Sequence, residues 1–360
     1  MKPYRWNPAP LLALALLFAL AGAVEAQPFN VWLRLSGPTS GYVQVPTSPA
    51  LNPASAITVE AWVNVTDSGG CSSIVGKNWT QAWWVGICGT TMRSYIRGYD
   101  STGLQIPVRT FRDAGTIPAG QWTHVAVTFD GTTRRHYING ELVGSWVEPG
   151  ALPATADAVR IASDVNFTHT PAGAIDEVRL WNVARTIDQI RASINVASPT
   201  PTTGLVARWA LDASAFDSSG GGHNGAVGGS GTNYFTFPVT LAPCSATATS
   251  LCLFGRIVVH ATFRTGAPGT AEGIGQTVGC ANSGSGLFWF FSPDNWEVMV
   301  KAINGCGLNS RYWIFSAATT NVFYRLEVAD LHAGVNKVYF NYPGPPAPAV
   351  TDVNAFATCP

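Results

Sequence analysis

The sequence predicts an all-β protein made of two sandwich domains. Apolar and polar residues alternate with period two in "AITVEAWVNV" (56–65) and "QWTHVAVTF" (121–129), a pattern that indicates half-buried strands. The pair Asn139-Gly140 separates two further strand-like stretches, and Asn-Gly is a strong hairpin signal because both residues accept positive φ. Only "TIDQIRASI" (186–194) has helical spacing. These three observations favour packed antiparallel sheets.

The first 26 residues have the pattern of an export signal. Lys2 and Arg5 precede an apolar run from Leu11 to Val24, and the next two residues complete a small-x-small cleavage pattern. The run is too short to span a bilayer, and no later apolar stretch is long enough. We therefore expect a secreted protein without membrane insertion.

The composition excludes one class of partner. Without residues 1–26 the formal charge is 19 − 20 = −1. Nucleic acids require a clustered basic surface, so this near-neutral chain is not expected to bind them. Charged residues make up 12% of the chain, against roughly 25% in an average domain, which suits a fold with many turns and short strands.

The domain boundary is expected in a stretch rich in glycine and serine. Strand signals continue to Leu211 and are followed by "DASAFDSSGGGHNGAVGGSGT" (212–232). Strand-like segments then resume, among them "RIVVHATFR", "GLFWFF" and "WEVMVKAI". The predicted division is 1–26 for the signal, 27–230 for the first domain and 231–360 for a second, smaller β-sandwich.

Seven cysteines in an exported chain predict disulfides with one cysteine left over. The expected pairs are Cys71–Cys88, Cys244–Cys252 and Cys280–Cys306. Cys359 would be free or bonded to a partner chain, and the rival prediction joins Cys359 to Cys244 or Cys252.

Four segments of the first domain resemble a known family when taken in order. They are "ITVEAWV", "GQWTHVAVTFDGTTRRHYINGELVG", "GAIDEVRLWNVARTIDQI" and "GLVARWALDASAFDSSGGGHNG". Together they resemble the laminin-G-like jelly rolls of the concanavalin A-like superfamily of lectins and glucanases. The resemblance implies a sandwich of two curved sheets that binds carbohydrate or protein. Residues 231–360 are similar to a β-domain found at the C-terminus of many secreted bacterial proteins, and this second resemblance implies no activity.

The family resemblance also implies a structural calcium ion. It places the aspartate of the "IDEV" strand and the "DSSG" segment near the metal, which makes Asp176, Asp217 and Asn224 the candidate ligands. Carboxylate and amide oxygens are ligands that calcium prefers. The family commonly has Asn where Gly221 or Gly222 stands, so one ligand is expected to be missing. The alternative is that "DSSGGG" forms only a turn.

Asp176 and Glu177 do not have the pattern of a catalytic pair. Glycoside hydrolysis needs two carboxyl groups on one cleft, and neighbours on a regular strand point to opposite faces. The E-x-D-x-E pattern of the related glucanases is absent. Glu177 is expected to pair with Arg179 or Arg208, and Glu60 is expected to have a similar structural role.

Aromatic residues are the second indication of a binding site. Trp79, Trp83, Trp84 and Tyr99 lie in or just after the segment between Cys71 and Cys88. Sugar rings often stack on flat aromatic faces, so these four are the candidate ligand-binding residues. On a strand, at least one of Trp83 and Trp84 must point into the core.

The sequence therefore predicts a secreted, non-catalytic protein that binds glycans or a cell-surface polymer. The alternative is a structural or adhesive protein that binds extracellular protein partners, with Cys359 as a possible cross-link. A glycoside hydrolase is the third hypothesis.

Overall fold

The computed structural model describes most of the chain after residue 30. It covers residues 31–37, 41–66, 70–98, 110–196, 199, 202–230, 232–236, 238–344 and 347–359, with only the backbone for 232–233 and 279–281. The predicted export signal (1–26) and Tyr99 lie outside these residues. In the part of the chain that is described, no helix is long and apolar enough to cross a membrane.

The described residues are nearly all in strands and turns, as predicted. In the first half the strands are β1 Val31–Ser36, β2 Tyr42–Val45, β3 Ile57–Val65, β4 Cys71–Gly76, β5 Trp83–Cys88, β6 Thr91–Ile96, β7 Arg112–Thr116, β8 Thr123–Phe129, β9 Thr133–Ile138, β10 Glu141–Val147, β11 Val159–Ile161, β12 Ala172–Trp181, β13 Leu205–Trp209, β14 Ala226–Gly228 and β15 Thr232–Thr236. A 3-10 helix, Pro49–Leu51, and one α-helix, α1 Ile187–Ser193, accompany them.

These strands form a sandwich of two antiparallel sheets. The eight-stranded sheet has the order β10-β9-β8-β3-β12-β1-β15, with β13 beside β12, and the seven-stranded sheet has the order β14-β2-β11-β4-β5-β6-β7. Alternate residues fill the space between them. On β5, for example, Trp83, Val85 and Ile87 lie in the core, whereas Trp84 and Gly86 face the other side of the sheet.

The helix α1 covers part of the outer face of the eight-stranded sheet. Thr186 accepts from the backbone N–H of Gln189, and the Gln189 side chain accepts from the backbone N–H of Thr186, which completes a capping box. Ile190 packs on Ala126 and Tyr137 of the sheet. This helix confirms the helical spacing predicted at 186–194.

A buried charge network lies on the same outer face. Glu60 Oε1 is 2.7 Å from Arg185 Nη1, and Glu60 Oε2 is 3.3 Å from His124 Nε2. Burial alone would raise the pKa of Glu60, but the hydrogen bond from His124 and the charge of Arg185 outweigh it and lower that pKa to about 2. Glu60 is therefore a buried, paired carboxylate, as predicted.

The second half forms another sandwich, of two five-stranded sheets. Its strands are β16 Ser250–Leu253, β17 Ile257–Arg264, β18 Gly273–Ile274, β19 Gln276–Asn282, β20 Ser285–Ser292, β21 Asn295–Asn304, β22 Tyr312–Ala318, β23 Phe323–Asp330, β24 Val335–Asn341 and β25 Val350–Phe356, and its helix is α2 Cys306–Asn309. The sheet orders are β16-β17-β23-β24, with β18 beside β17, and β19-β20-β21-β22-β25.

The two sandwiches contact each other through buried groups. Arg325 of β23 donates to the carbonyl oxygen of Trp122 at 2.7 Å, and Arg264 forms an ion pair with Glu141. The strand β15, which begins at residue 232, pairs with β1 in the first sandwich. The division at 230/231 stays a prediction.

Two of the three predicted disulfides are present and the third is wrong. Cys71–Cys88 and Cys244–Cys252 form as expected, but Cys306 bonds to Cys359 and not to Cys280. The chain returns after β24 so that β25 pairs with β22, and Phe356 lies opposite Tyr312. The C-terminal segment therefore ends beside α2, which follows β21. Cys359 is consequently not available as a cross-link to a partner, and the side chain of Cys280 lies outside the described residues.

Candidate functional site

A pocket of about 180 Å³ opens on the outer face of the seven-stranded sheet. We call it the Trp84 pocket. Its lining combines aromatic rings, polar side chains and one end of a disulfide, and consists of Cys71, Ser73, Trp79, Trp84, Arg93, Phe111, Asp164 and His169. The bond Cys71–Cys88 joins β4 to β5 at directly opposed positions next to the pocket.

The indole of Trp84 forms the floor of the pocket. Its Nε1 donates to Ser73 Oγ at 2.8 Å, which fixes the ring on the neighbouring strand. A β-carbon at Gly86 would overlap the indole and the carbonyl oxygen of Ser72. The indole therefore lies close against the backbone of its own strand, and only 5% of Trp84 is exposed.

Phe111 forms the aromatic wall. Its ring centroid lies 6.2 Å from that of Trp79, 6.1 Å from that of Trp84 and 5.1 Å from that of Tyr95. Phe111 is 40% exposed, and the guanidinium carbon of Arg93 is 5.5 Å from its ring centroid. A ligand that enters the pocket thus meets aromatic surface on more than one side.

The polar groups of the pocket are held by contacts with neighbouring carboxylates. Arg93 donates to both carboxylate oxygens of Asp113, at 2.6 and 2.7 Å. His169 Nδ1 is 2.8 Å from Asp164 Oδ2. Burial alone would raise the pKa of Asp164, but hydrogen bonds from the backbone of Thr168 and from His169 lower it overall. Arg93 and His169 therefore each have a carboxylate partner, and His169, whose side chain is half-exposed, borders the opening.

The pocket contains two of the four aromatic residues predicted from the sequence. Trp79 and Trp84 line it, Trp83 lies in the core of the sandwich, and Tyr99 is outside the described residues. Sequence reasoning did not identify the other contributors. Phe111, Arg93 and His169 come from segments far apart in the chain, and only the strand pairing brings them together.

The three predicted calcium ligands are already engaged or buried. Asp217 Oδ1 accepts the backbone N–H of Arg208 and Ser219, and Asp217 Oδ2 accepts that of His223, at 2.8–3.0 Å. Asn224 Oδ1 accepts the backbone N–H of Asp217 at 3.0 Å. In the described ranges, no group of three or more His, Cys, Asp or Glu side chains is arranged to hold a metal, and calcium binding stays a prediction.

Asp176 is the unusual member of this set. It is buried, and its Oδ1 has no hydrogen-bond partner among the described residues. Burial raises the pKa of Asp176 well above its ordinary value, and the negative charges of Glu177 and Asp212 add to that rise. Burial and the charge of Glu177 likewise raise the pKa of Asp212 to about 6.

A β-bulge next to Asp176 interrupts the regular alternation of side chains that the sequence predicts for β12. The register between β12 and β3 shifts between Asp176 and Arg179, and Glu177 has a φ of 50°. Because of this bulge, the expectation that the two acids face opposite sides of a regular strand does not apply here. Both acids are buried. The ion-pair prediction for Glu177 is confirmed, since Glu177 accepts from Arg179 at 3.1 Å and also from Arg208.

One protein-family model matches a segment of the first sandwich. Residues 37–191 match the concanavalin A-like lectin/glucanases superfamily through its laminin G model. The matched segment contains every residue that lines the Trp84 pocket. No curated protein matches the sequence.

Several solved structures are similar to part of this chain. A candidate carbohydrate-binding protein from Bacteroides ovatus is 19% identical, with 58% of this chain and 60% of that chain covered and a TM-score of 0.47. A SAP-like pentraxin from Limulus polyphemus is 14% identical (56% and 95% covered, TM-score 0.39). The CBM40 of a Ruminococcus gnavus sialidase, bound to α2,3 sialyllactose, is 14% identical (47% and 97% covered, TM-score 0.37). Such low identities and TM-scores carry no information about what this chain binds.

Proposed function

We propose that this protein is a secreted, non-catalytic binding protein that recognises carbohydrate in the Trp84 pocket. The observation that carries the proposal is the grouping of Phe111, Trp79 and Trp84 around one opening, with Arg93 and His169 beside them. Pockets for small ligands combine aromatic and apolar walls with a few polar groups that set orientation. A sugar ring matches that combination, because its C–H faces are apolar and its hydroxyls hydrogen-bond at the rim.

The volume of the pocket suggests how much of a glycan it holds. At about 180 Å³ it is smaller than the 300 Å³ or so at the low end of drug-sized ligand sites. It therefore suits a single sugar unit, such as the end of a chain. Three disulfides are consistent with an extracellular protein.

The test is a glycan array followed by calorimetry on the sugars that bind. Phe111→Ala is the preferred variant because the ring is 40% exposed and its loss should leave the fold intact. We expect this variant and Trp79→Ala to weaken binding at least tenfold. Trp296→Ala, which removes an exposed ring from the second sandwich, is the matched control and should bind like the unmodified protein.

Two results would contradict the proposal. Absence of binding to any glycan would argue against the carbohydrate class. Binding that survives Phe111→Ala but is lost in Trp296→Ala would place the site on the second sandwich, where Phe291, Trp296 and Met299 are also exposed. That exposed surface favours the alternative of an adhesive protein that binds extracellular protein partners.

A further inference from the structure

A second opening lies on the other side of the first sandwich. It has a volume of about 290 Å³ and lies on the outer face of the eight-stranded sheet. We call it the Trp32 groove. Trp32, Trp122 and Phe235 supply its aromatic surface, and Arg34 and Asn64 supply its polar groups. None of the described residues that line it is acidic.

Strand register explains why these side chains meet. On β1, Leu33 and Leu35 enter the core, so Trp32 and Arg34 point outward. Trp32 lies opposite Phe235 of β15, and Arg34 lies opposite Ala174 of β12. Ala174 in turn lies opposite Asn64 of β3. Arg34 and Asn64 therefore lie on either side of Ala174, across three neighbouring strands. This line of residues is next to the pair formed by Trp32 and Phe235.

The floor between Arg34 and Asn64 is made of small residues, Gly173 and Ala174. Gly173 has a φ of 136°, and a β-carbon there would overlap the carbonyl oxygen of Asn64. Its neighbour Ala174, which lies between Arg34 and Asn64, has only a methyl group as its side chain. Glycine and alanine therefore leave the floor low, and the larger aromatic residues stand beside it.

The aromatic side of the groove is held in place from two directions. The ring of Trp32 meets that of Trp122 edge to face, with centroids 5.7 Å apart, and its centroid is 5.5 Å from that of Phe235. The buried Arg325 of the second sandwich donates to the carbonyl oxygen of Trp122 at 2.7 Å. The groove therefore has a fixed shape that depends on both sandwiches.

Arg34 is the charged group of the groove. Its guanidinium carbon lies 4.9 Å from the centroid of the Phe235 ring, and it forms no ion pair with any residue in the described ranges. Arg93 of the Trp84 pocket differs, since both carboxylate oxygens of Asp113 accept from it. A guanidinium without a carboxylate partner presents a planar set of donors that matches a carboxylate or sulfate.

We infer that the Trp32 groove binds an acidic sugar unit of an extracellular polysaccharide. The carboxylate or sulfate accepts hydrogen bonds from Arg34, and the sugar ring packs against Trp32 and Phe235. Asn64 donates to or accepts from a hydroxyl on the far side of the floor. This site and its ligand class are independent of carbohydrate binding in the Trp84 pocket.

The test compares acidic and neutral sugars of the same size by calorimetry at low ionic strength. The probes are oligogalacturonides, which carry carboxylates, sulfated galacto-oligosaccharides, and unmodified galacto-oligosaccharides. Arg34→Gln removes the charge from an exposed side chain, and Arg135→Gln removes a partly exposed arginine outside both pockets as the control.

We expect at least one of the two acidic probes to bind, with an affinity that falls about ten- to hundredfold in Arg34→Gln and stays unchanged in Arg135→Gln. Added salt should weaken this binding because the contact is ionic. Failure of both acidic probes, equal binding to Arg34→Gln, or equally tight binding of the neutral sugar in the groove would overturn the inference. A loss in Phe111→Ala with Arg34→Gln unaffected would do the same, and would leave the proposed function standing.

Discussion

The indole of Trp84 occupies the space that a side chain at position 86 would need. The two residues are on the same strand and the same face of the sheet, and Gly86 allows the ring to lie against the backbone. The floor of the Trp84 pocket thus depends on a residue that has no side chain and does not line the pocket.

We expect Gly86→Ala to displace the Trp84 indole and to abolish or strongly weaken carbohydrate binding. Overpacking of this kind costs about 1–3 kcal/mol of stability, so the protein should still fold. Gly70→Ala is the matched control, because a β-carbon there meets no atom of the described residues within 4 Å. Calorimetry with the bound sugar and thermal unfolding measure the two effects. Unchanged sugar binding in Gly86→Ala would show that the indole is not part of the site.

The network of Glu60, His124 and Arg185 predicts a loss of stability in acid. The pKa of Glu60 is lowered from 4.5 to about 2 in the folded protein. A lowered carboxyl pKa stabilises the fold above the unfolded value, and the contribution is lost as the pH falls from about 4.5 towards 2. Denaturant unfolding across this pH range should show the decline in the unmodified protein.

Glu60→Gln should remove most of that decline and lower stability at neutral pH. It leaves Arg185 buried without its carboxylate, which costs about 3–5 kcal/mol. Arg135→Gln breaks a partly exposed ion pair with Asp130 and should cost less than about 1 kcal/mol. Equal effects of the two substitutions would contradict the assignment of Glu60 as a buried, paired acid.

The bond between Cys306 and Cys359 is expected to stabilise the protein and to leave neither cysteine free to link two chains. Cys306→Ser with Cys359→Ser removes both thiols and should lower stability by about 2–5 kcal/mol. The unmodified protein should run as a monomer on a non-reducing gel. Multimers that collapse on reduction would instead support a cross-link through cysteine.

Asp217→Ala distinguishes a metal ligand from a residue that holds its own loop. The side chain accepts three backbone N–H groups, so we expect the substitution to destabilise the protein by about 1–3 kcal/mol. A loss that is the same with calcium and with a chelator would assign Asp217 to the loop alone. Calcium that stabilises the unmodified protein but not Asp217→Ala, measured by thermal unfolding, would favour the metal site predicted from the sequence.

The fold class could be predicted because it depends on local patterns. Alternation on β3 and β8, the turn at Asn139-Gly140 and the short helix α1 each follow from residues close in sequence. The bulge at Glu177 could not be predicted, because an extra residue in β12 can be recognised only from its pairing with β3. The same holds for Cys359, whose partner depends on where β25 joins the sheet.

The candidate site was predicted in part for the same reason. Trp79 and Trp84 are near each other in sequence and could be grouped by inspection. Phe111, Arg93, Asp164 and His169 reach the pocket from other segments, and no spacing rule relates them. No short sequence pattern indicates the Trp32 groove. Its residues Arg34, Ala174 and Asn64 lie side by side only because three strands pair.

The Trp84 pocket and the Trp32 groove lie on outer faces of different sheets of one sandwich. Packed sheets are about 10 Å apart, and they share a rigid core, so the two openings point away from each other at a fixed separation. A single molecule therefore cannot press both onto one flat surface. With both openings occupied as proposed, one molecule would hold two separate polysaccharide chains and act as a junction in a gel. The viscosity of a solution of the two polysaccharides would then rise with the protein's concentration.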